Sequence, residues 1–153
     1  MAVKAGSSAP DFELEDKDGK NWSLEDFGKK VIVLYFYPKD NTEGCTVEAN
    51  EFTKKLGGFH KAGAEVIGIS GGDKKSKEKF CSDNKLRLLL LSDSDFSVCR
   101  KYGVYEEKQF MGKKYMGIFR TTFVISDMKI IKVFENVKVK GHVEEVLGFV
   151  KNC

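Results

Sequence analysis

Apolar and polar positions follow two rhythms along this chain. Val31 to Tyr37 is continuously apolar and rich in β-branched and aromatic residues, which predicts a central strand buried on both faces. Before it, Phe12 to Leu14 and Asn21 to Ser23 flank Asp18-Gly19, a hairpin signal, and Ser23 with Asp26 suits the cap of a short helix. After it, Val47, Ala49, Phe52 and Leu56 recur at helical spacing. They predict a helix over Thr46 to Leu56, stopped by Gly57-Gly58. Glu65 to Ser70 reads as a strand, Gly71-Gly72 as a turn, Lys74 to Asp83 as a polar and mostly exposed helix, and Leu88 to Leu91 as a short buried strand. Ser94 or Asp95 is placed to cap a helix running to Tyr102 and ended by Gly103. Ile118 to Ser126 and Lys129 to Phe134 read as consecutive strands around Asp127-Met128. Val143 to Lys151 completes the chain as an amphipathic helix. Alternating strands and helices, then a strand pair and a helix, predict an α/β fold with parallel strands early and an antiparallel pair late. A thioredoxin-like core has this pattern, and so do other small α/β folds.

Composition narrows the function classes. The 153 residues suit one compact domain spanning 1–153, and 41% hydrophobic with 32% charged residues is an ordinary globular balance. The net charge of +3 comes from 26 basic and 23 acidic residues that are interspersed. The densest basic stretch, Lys74 to Lys79, contains Glu78 and no aromatic residue, so it reads as a solvated helix face and not as a nucleic-acid site. No apolar run is long enough to span a bilayer, and Met1 to Pro10 has no secretory pattern. The expectation is a cytoplasmic protein without membrane or nucleic-acid partners.

Chemistry enters with the cysteines. Cys45, Cys81, Cys99 and Cys153 are widely spaced, without the close pairing of a zinc site or the density of a disulfide scaffold. Neither a metal nor a cofactor is expected. Cys45 follows the buried strand, Pro38, a polar turn and Thr42, at the start of a helical segment. A helix N-terminus favours the thiolate, the reactive form of cysteine. A cation would favour it further. Arg120 stands in the otherwise apolar stretch Gly117 to Ile125, where an unpaired guanidinium is costly. Cys99 follows Phe96 at helical spacing and reads as core, Cys153 as an inert terminus, His60 as surface, and His142 as a capping or solvated residue. Tyr35, Phe36, Phe119 and Phe123 read as core.

The segment Pro38-Lys39-Asp40-Asn41-Thr42-Glu43-Gly44-Cys45 closely resembles the peroxiredoxin motif P-x-x-x-T-x-x-C. The surrounding words resemble the Q-type branch, also called bacterioferritin-comigratory protein, in the AhpC/TSA family. They include Ala9-Pro10-Asp11-Phe12, Tyr102-Gly103-Val104, Arg120-Thr121-Thr122-Phe123-Val124 and Lys140-Gly141-His142-Val143, so the resemblance spans nearly the whole chain. It implies a thioredoxin-like fold, with a central mixed sheet flanked by helices and an N-terminal hairpin. It also implies a peroxidase for hydrogen peroxide and organic hydroperoxides. Cys45 would be the peroxidatic thiolate, Thr42 would offer its hydroxyl, and Arg120 would stabilise the thiolate and the leaving oxygen. Pro38 would shield the sulfur, and Glu48 would hold the arginine or a neighbouring group. The product at Cys45 would be a sulfenic acid.

One departure matters. Many Q-type relatives carry a resolving cysteine five residues after the first, where this chain has Asn50. Some relatives place it further on, in the region of Cys81, and that resemblance implies a Cys45–Cys81 disulfide reduced by thioredoxin or a similar dithiol protein. The neighbours of Cys81 (Lys77, Lys79, Ser82 and Asp83) suggest partial exposure. The bond would require the Cys45 helix to unwind locally. A monomer is expected. The rival readings are a one-cysteine peroxidase resolved by an external thiol, a thiol-disulfide oxidoreductase and a non-catalytic binding module. The oxidoreductase normally uses C-x-x-C, where this chain has T-x-x-C.

Overall fold

The structure is a computed structural model, and it describes residues 2–153. Among these, seven strands form one sheet in the order β2-β1-β5-β4-β3-β8-β9, and β6 and β7 form a separate two-stranded sheet. The centre is β3 (Val31–Phe36), as its apolar run requires. It pairs in parallel with β4 (Ala64–Ser70) and antiparallel with β8 (Thr121–Ser126). Beyond β4 lies β5 (Leu89–Ser92), also parallel. The antiparallel hairpin of β1 (Leu14–Glu15) and β2 (Asn21–Trp22) closes that edge. On the other edge, β9 (Lys129–Phe134) returns from β8 through Asp127 and Met128, both at positive φ. The sheet is mixed, with parallel strands first and antiparallel strands last, and it buries an apolar cluster on each face.

The hairpin and the 3-10 turn Leu24–Phe27 follow their sequence signals, with the Ser23 amide donating to Asp26 Oδ2 at 2.7 Å. Four elements depart from expectation. Helix α1 (Glu43–Lys61) runs straight through Gly57-Gly58. Phe59, fully buried, draws the helix onward, and a Cβ on Gly58 would stand 3.3 Å from Leu147 Cδ2. The glycine therefore gives α4 (His142–Lys151) room to pack instead of ending α1. Helix α2 (Lys74–Asn84) is mostly exposed, as expected, but departs from a solvated helix along one face, where Lys77, Phe80 and Cys81 are buried. Helix α3 is short (Ser97–Lys101), and its first amides are held by Asp93, whose carboxylate accepts from Val98 and Cys99.

The fourth departure concerns Arg120. The expected strand from Ile118 is two elements. The first is β7 (Lys113–Ile118), the return strand of a hairpin begun by β6 (Tyr105–Phe110), and the second is β8. Arg120 stands in the break between them. Its carbonyl accepts from the Val137 amide at 3.1 Å, and the Phe119 amide donates to the Val104 carbonyl at 2.7 Å. A charged residue is thus kept off the buried ladder.

Candidate active site

Strand β3 delivers the chain to Pro38, and α1 begins after Thr42. Between them, Asn41 takes a left-handed turn at φ 61°, a conformation that asparagine tolerates. This puts Cys45 in the first turn of α1, where backbone N–H groups lack helical partners and the helix dipole favours negative charge. Cys45 is 1% exposed.

The remote arginine meets it. Arg120 Nη2 donates to Cys45 Sγ at 3.4 Å, and Nη1 donates to Glu48 Oε1 at 2.6 Å. Glu48 lies one turn after Cys45 on the inner face of α1 and is fully buried. Burial pushes its carboxyl up to about 7 against the pull of Arg120. Burial also works against the Arg120 cation, but Glu48 and Cys45 outweigh it and hold its pKa above the ordinary value. Gly44 completes the fit, since a Cβ there would stand 3.2 Å from Arg120 Nη2.

Thr42 occupies the N-cap position of α1 without a side-chain capping bond; its hydroxyl donates instead to the Lys39 carbonyl at 2.9 Å, which fixes the turn ahead of the cysteine. Pro38 and Arg120 share a groove of about 510 Å³ with Lys108, Phe110, Tyr115 and Phe119. Phe119 is therefore half-buried groove wall and not core. Burial, then Arg120, push the Lys108 ammonium down.

The other cysteines separate clearly. Cys81 is buried at 6% exposure, which corrects the expectation of partial exposure; Phe80 and Lys77 turn that face of α2 inward. Burial pushes its thiol up. It borders a second cavity of about 450 Å³, together with Asp16, Lys17 and Trp22. Cys99 is fully buried, with its thiol pushed far up by burial and by Asp93, and Cys153 is exposed. All four thiols are free.

His60 is at the surface, paired with Glu65 at 3.0 Å. His142 is not a solvated cap: it is buried, shares a 2.8 Å hydrogen bond with Thr122, and is pushed down to about 4 by burial. Phe52 and Phe134 meet its ring edge-on.

Sequence reasoning missed a network behind the site. Asp40 Oδ1 accepts from Tyr37 Oη at 2.6 Å, and Oδ2 accepts from Ser76 Oγ at 2.6 Å and Lys77 Nζ at 2.9 Å. Lys77 Nζ also donates to the Gly71 carbonyl at 2.6 Å. Nothing local signals that pairing, because its members come from the residue after β3, the active-site loop, the β4–α2 turn and α2.

A thiol in the first turn of a helix, beside a half-buried guanidinium, on a thioredoxin-like sheet, defines a thiol-dependent peroxidase. Residues 5–134 match the AhpC/TSA family, and the chain belongs to it. It is 43% identical to Peroxiredoxin Bcp of Escherichia coli over 150 residues, covering 97% of this chain and 96% of that protein. It is 40% identical to Peroxiredoxin Bcp of Bacillus subtilis over 153 residues, covering 99% and 98%. Among solved structures, Peroxiredoxin Q of Xanthomonas campestris matches with TM-score 0.89 at 37% identity, over 99% of this chain and 97% of that one. A cysteine-to-serine mutant of Xylella fastidiosa PrxQ matches with TM-score 0.93 at 34% identity, over 99% and 98%.

Proposed function

We propose that this chain, acting as one domain over 1–153, reduces hydrogen peroxide and organic hydroperoxides through Cys45. We further propose that Cys81 resolves the oxidised sulfur and that thioredoxin or a similar dithiol protein reduces the resulting disulfide. The observation that carries the reading is the contact between Arg120 Nη2 and Cys45 Sγ. The Cys45 thiolate attacks one peroxide oxygen and the O–O bond breaks. The sulfur becomes a sulfenic acid, and the departing alkoxide or hydroxide takes up a proton. Arg120 stabilises charge first on sulfur and then on the leaving oxygen. Thr42 orders the loop and offers its hydroxyl to the peroxide, and Pro38 limits access of water.

In the second step the Cys81 thiol attacks the sulfenic sulfur. An S–S bond forms, the S–O bond breaks, and the hydroxyl leaves as water with the Cys81 proton. Cys45 and Cys81 sit in closed turns of separate helices, so these turns open for the step. Two Xanthomonas campestris Peroxiredoxin Q mutants replace cysteines whose separation equals that of Cys45 and Cys81, which supports the pairing. A bacterioferritin comigratory protein from the same organism is described by its alkyl peroxide reduction activity, which supports the substrate class. Because both thiols belong to one chain, we propose a monomer. We place it in the cytoplasm, where reducing thiols are supplied; no helix among the described residues is long and apolar enough to cross a membrane.

The burial of Cys81 favours a second reading, in which an external thiol resolves Cys45 directly. Mass spectrometry after one equivalent of peroxide separates the two. A Cys45–Cys81 linkage supports the proposal, and a persistent sulfenic acid on Cys45 supports the one-cysteine route. A Cys81→Ser protein is expected to keep one peroxide turnover and lose thioredoxin-coupled cycling. Unimpaired cycling would exclude Cys81.

A further inference from the structure

The Asp40–Lys77 pair is expensive. Its side chains are 5% and 0% exposed, and burial pushes the Lys77 ammonium down despite the carboxylate beside it. An apolar pair of similar volume would often be as stable or more so. The position of the pair offers a reason for it. Asp40 belongs to the loop that leads into Cys45, and Lys77 stands one helical turn before Cys81. The pair therefore ties together the two segments that carry the proposed reacting thiols. It is reinforced by Tyr37, Ser76 and the Gly71 carbonyl, none of which lies on the cysteine side of the knot.

We propose that Asp40 and Lys77 are positioning residues for the resolving step, a pin that stays closed while the turns bearing Cys45 and Cys81 unwind towards each other. This deepens the Cys45–Cys81 pairing proposed above and rests on it. From the pin, the chain runs about five residues to Cys45 and about four to Cys81, and each arm when extended spans roughly 15 Å. The two sulfurs can therefore meet without release of the pin. The other links between loop and helix are of another kind. Asn41 Nδ2 to Asp83 at 3.5 Å and Asn84 Nδ2 to Asn41 Oδ1 at 3.2 Å are exposed, and they lie beyond Cys81. They open easily when that turn unwinds.

The gain is in loop closure. Without the pin, the nearest tie between the two arms is the β3–β4 ladder, which ends at Phe36 and Ile69, so the cysteines close a ring of roughly twenty residues; with the pin, the ring is roughly ten. The three-halves power dependence makes this roughly twofold ratio worth about threefold in the chance of encounter. A sulfenic acid that meets its resolving thiol sooner has less time to react with a second peroxide and become sulfinic acid.

The test is rapid-quench mass spectrometry, following peroxide consumption, Cys45–Cys81 linkage and Cys45 sulfinic acid separately. Lys77→Met is expected to slow linkage by about threefold. Sulfinic acid per turnover should rise in step, while first-turnover peroxide consumption stays within about twofold of the native rate. Lys77→Arg keeps the charge and is expected to recover most of the linkage rate. If Lys77→Met does not fold, Asp40→Asn, close to isosteric, gives the same reading. Linkage at the native rate in a folded variant, or an equal fall in both steps, overturns the pin and leaves the pairing intact. If the native protein forms no Cys45–Cys81 linkage, the pairing fails and the pin fails with it.

Discussion

Gly44 and Arg120 fit together because the glycine has no side chain, and the space it leaves brings Nη2 within reach of Cys45. Its φ is not in the left-handed region, so alanine suits the backbone there. Gly44→Ala should hold or raise the melting temperature, since alanine is better in a helix by ~1 kcal/mol. It should also push the guanidinium away by a few tenths of an ångström and lower the peroxide rate several-fold. Stopped-flow peroxide kinetics alongside thermal unfolding check this. A loss of stability with unchanged rate would contradict the steric account.

Glu48 and His142 lean on the stability profile in opposite directions. The Glu48 carboxyl, raised by burial to about 7, keeps a proton in the native state that the unfolded chain loses above about 4.5. Its contribution therefore falls as pH rises from about 4.5 to 7. His142, lowered by burial to about 4, stays neutral in the native state while the unfolded chain takes a proton below about 6.5. Its contribution therefore falls as pH drops from about 6.5 to 4. Glu48→Gln should expose the His142 slope, giving a protein that loses stability faster on acidification. His142→Gln should expose the opposite slope. Urea midpoints between pH 4.5 and 7.5 measure both, and parallel profiles for the three proteins would refute the assignment.

Thr42 acts through its turn as well as through any contact with peroxide. Thr42→Ser keeps the hydroxyl that donates to Lys39 and should stay within a few-fold of the native rate. Thr42→Val removes the donor and should lose ~10–100-fold in second-order rate with peroxide. Equal rates for the serine and valine proteins would leave the hydroxyl without a role.

The thiols should also differ towards an alkylating reagent under native, reduced conditions. Cys153, exposed, should react fast. Cys99, fully buried with its thiol pushed far up, should react only after unfolding. Timed alkylation read by peptide mapping decides this.

The parts of the fold that were legible in the sequence are those set by local pattern. The apolar run at Val31 produced the central strand, Asp127-Met128 the tight return, and Val143 to Val150 the amphipathic helix. The motif from Pro38 to Cys45 marked the proposed nucleophile, and a charge in an apolar stretch marked Arg120. What stayed hidden depends on contacts across the sheet. Gly57-Gly58 reads as a stop until α4 is known to press on it. Lys77 reads as surface until Asp40 arrives from a different loop. His142 reads as a cap until Thr122 is seen beneath it. The hairpin of β6 and β7 was lost because its strands carry mostly polar, exposed residues that alternate weakly.

That hairpin shares no backbone ladder with the sheet against which α1, the bearer of Cys45 and Glu48, is packed. It nevertheless supplies Lys108, Phe110 and Tyr115 to the groove leading to Arg120, and its tip carries Phe110 and Met111 at 66% and 87% exposure. The doorway and the reacting centre are thus built from separable pieces of chain. Under the proposed function, hairpin residues at the doorway can change in size and polarity, and so retune which peroxides are admitted, without disturbing the frame around Cys45.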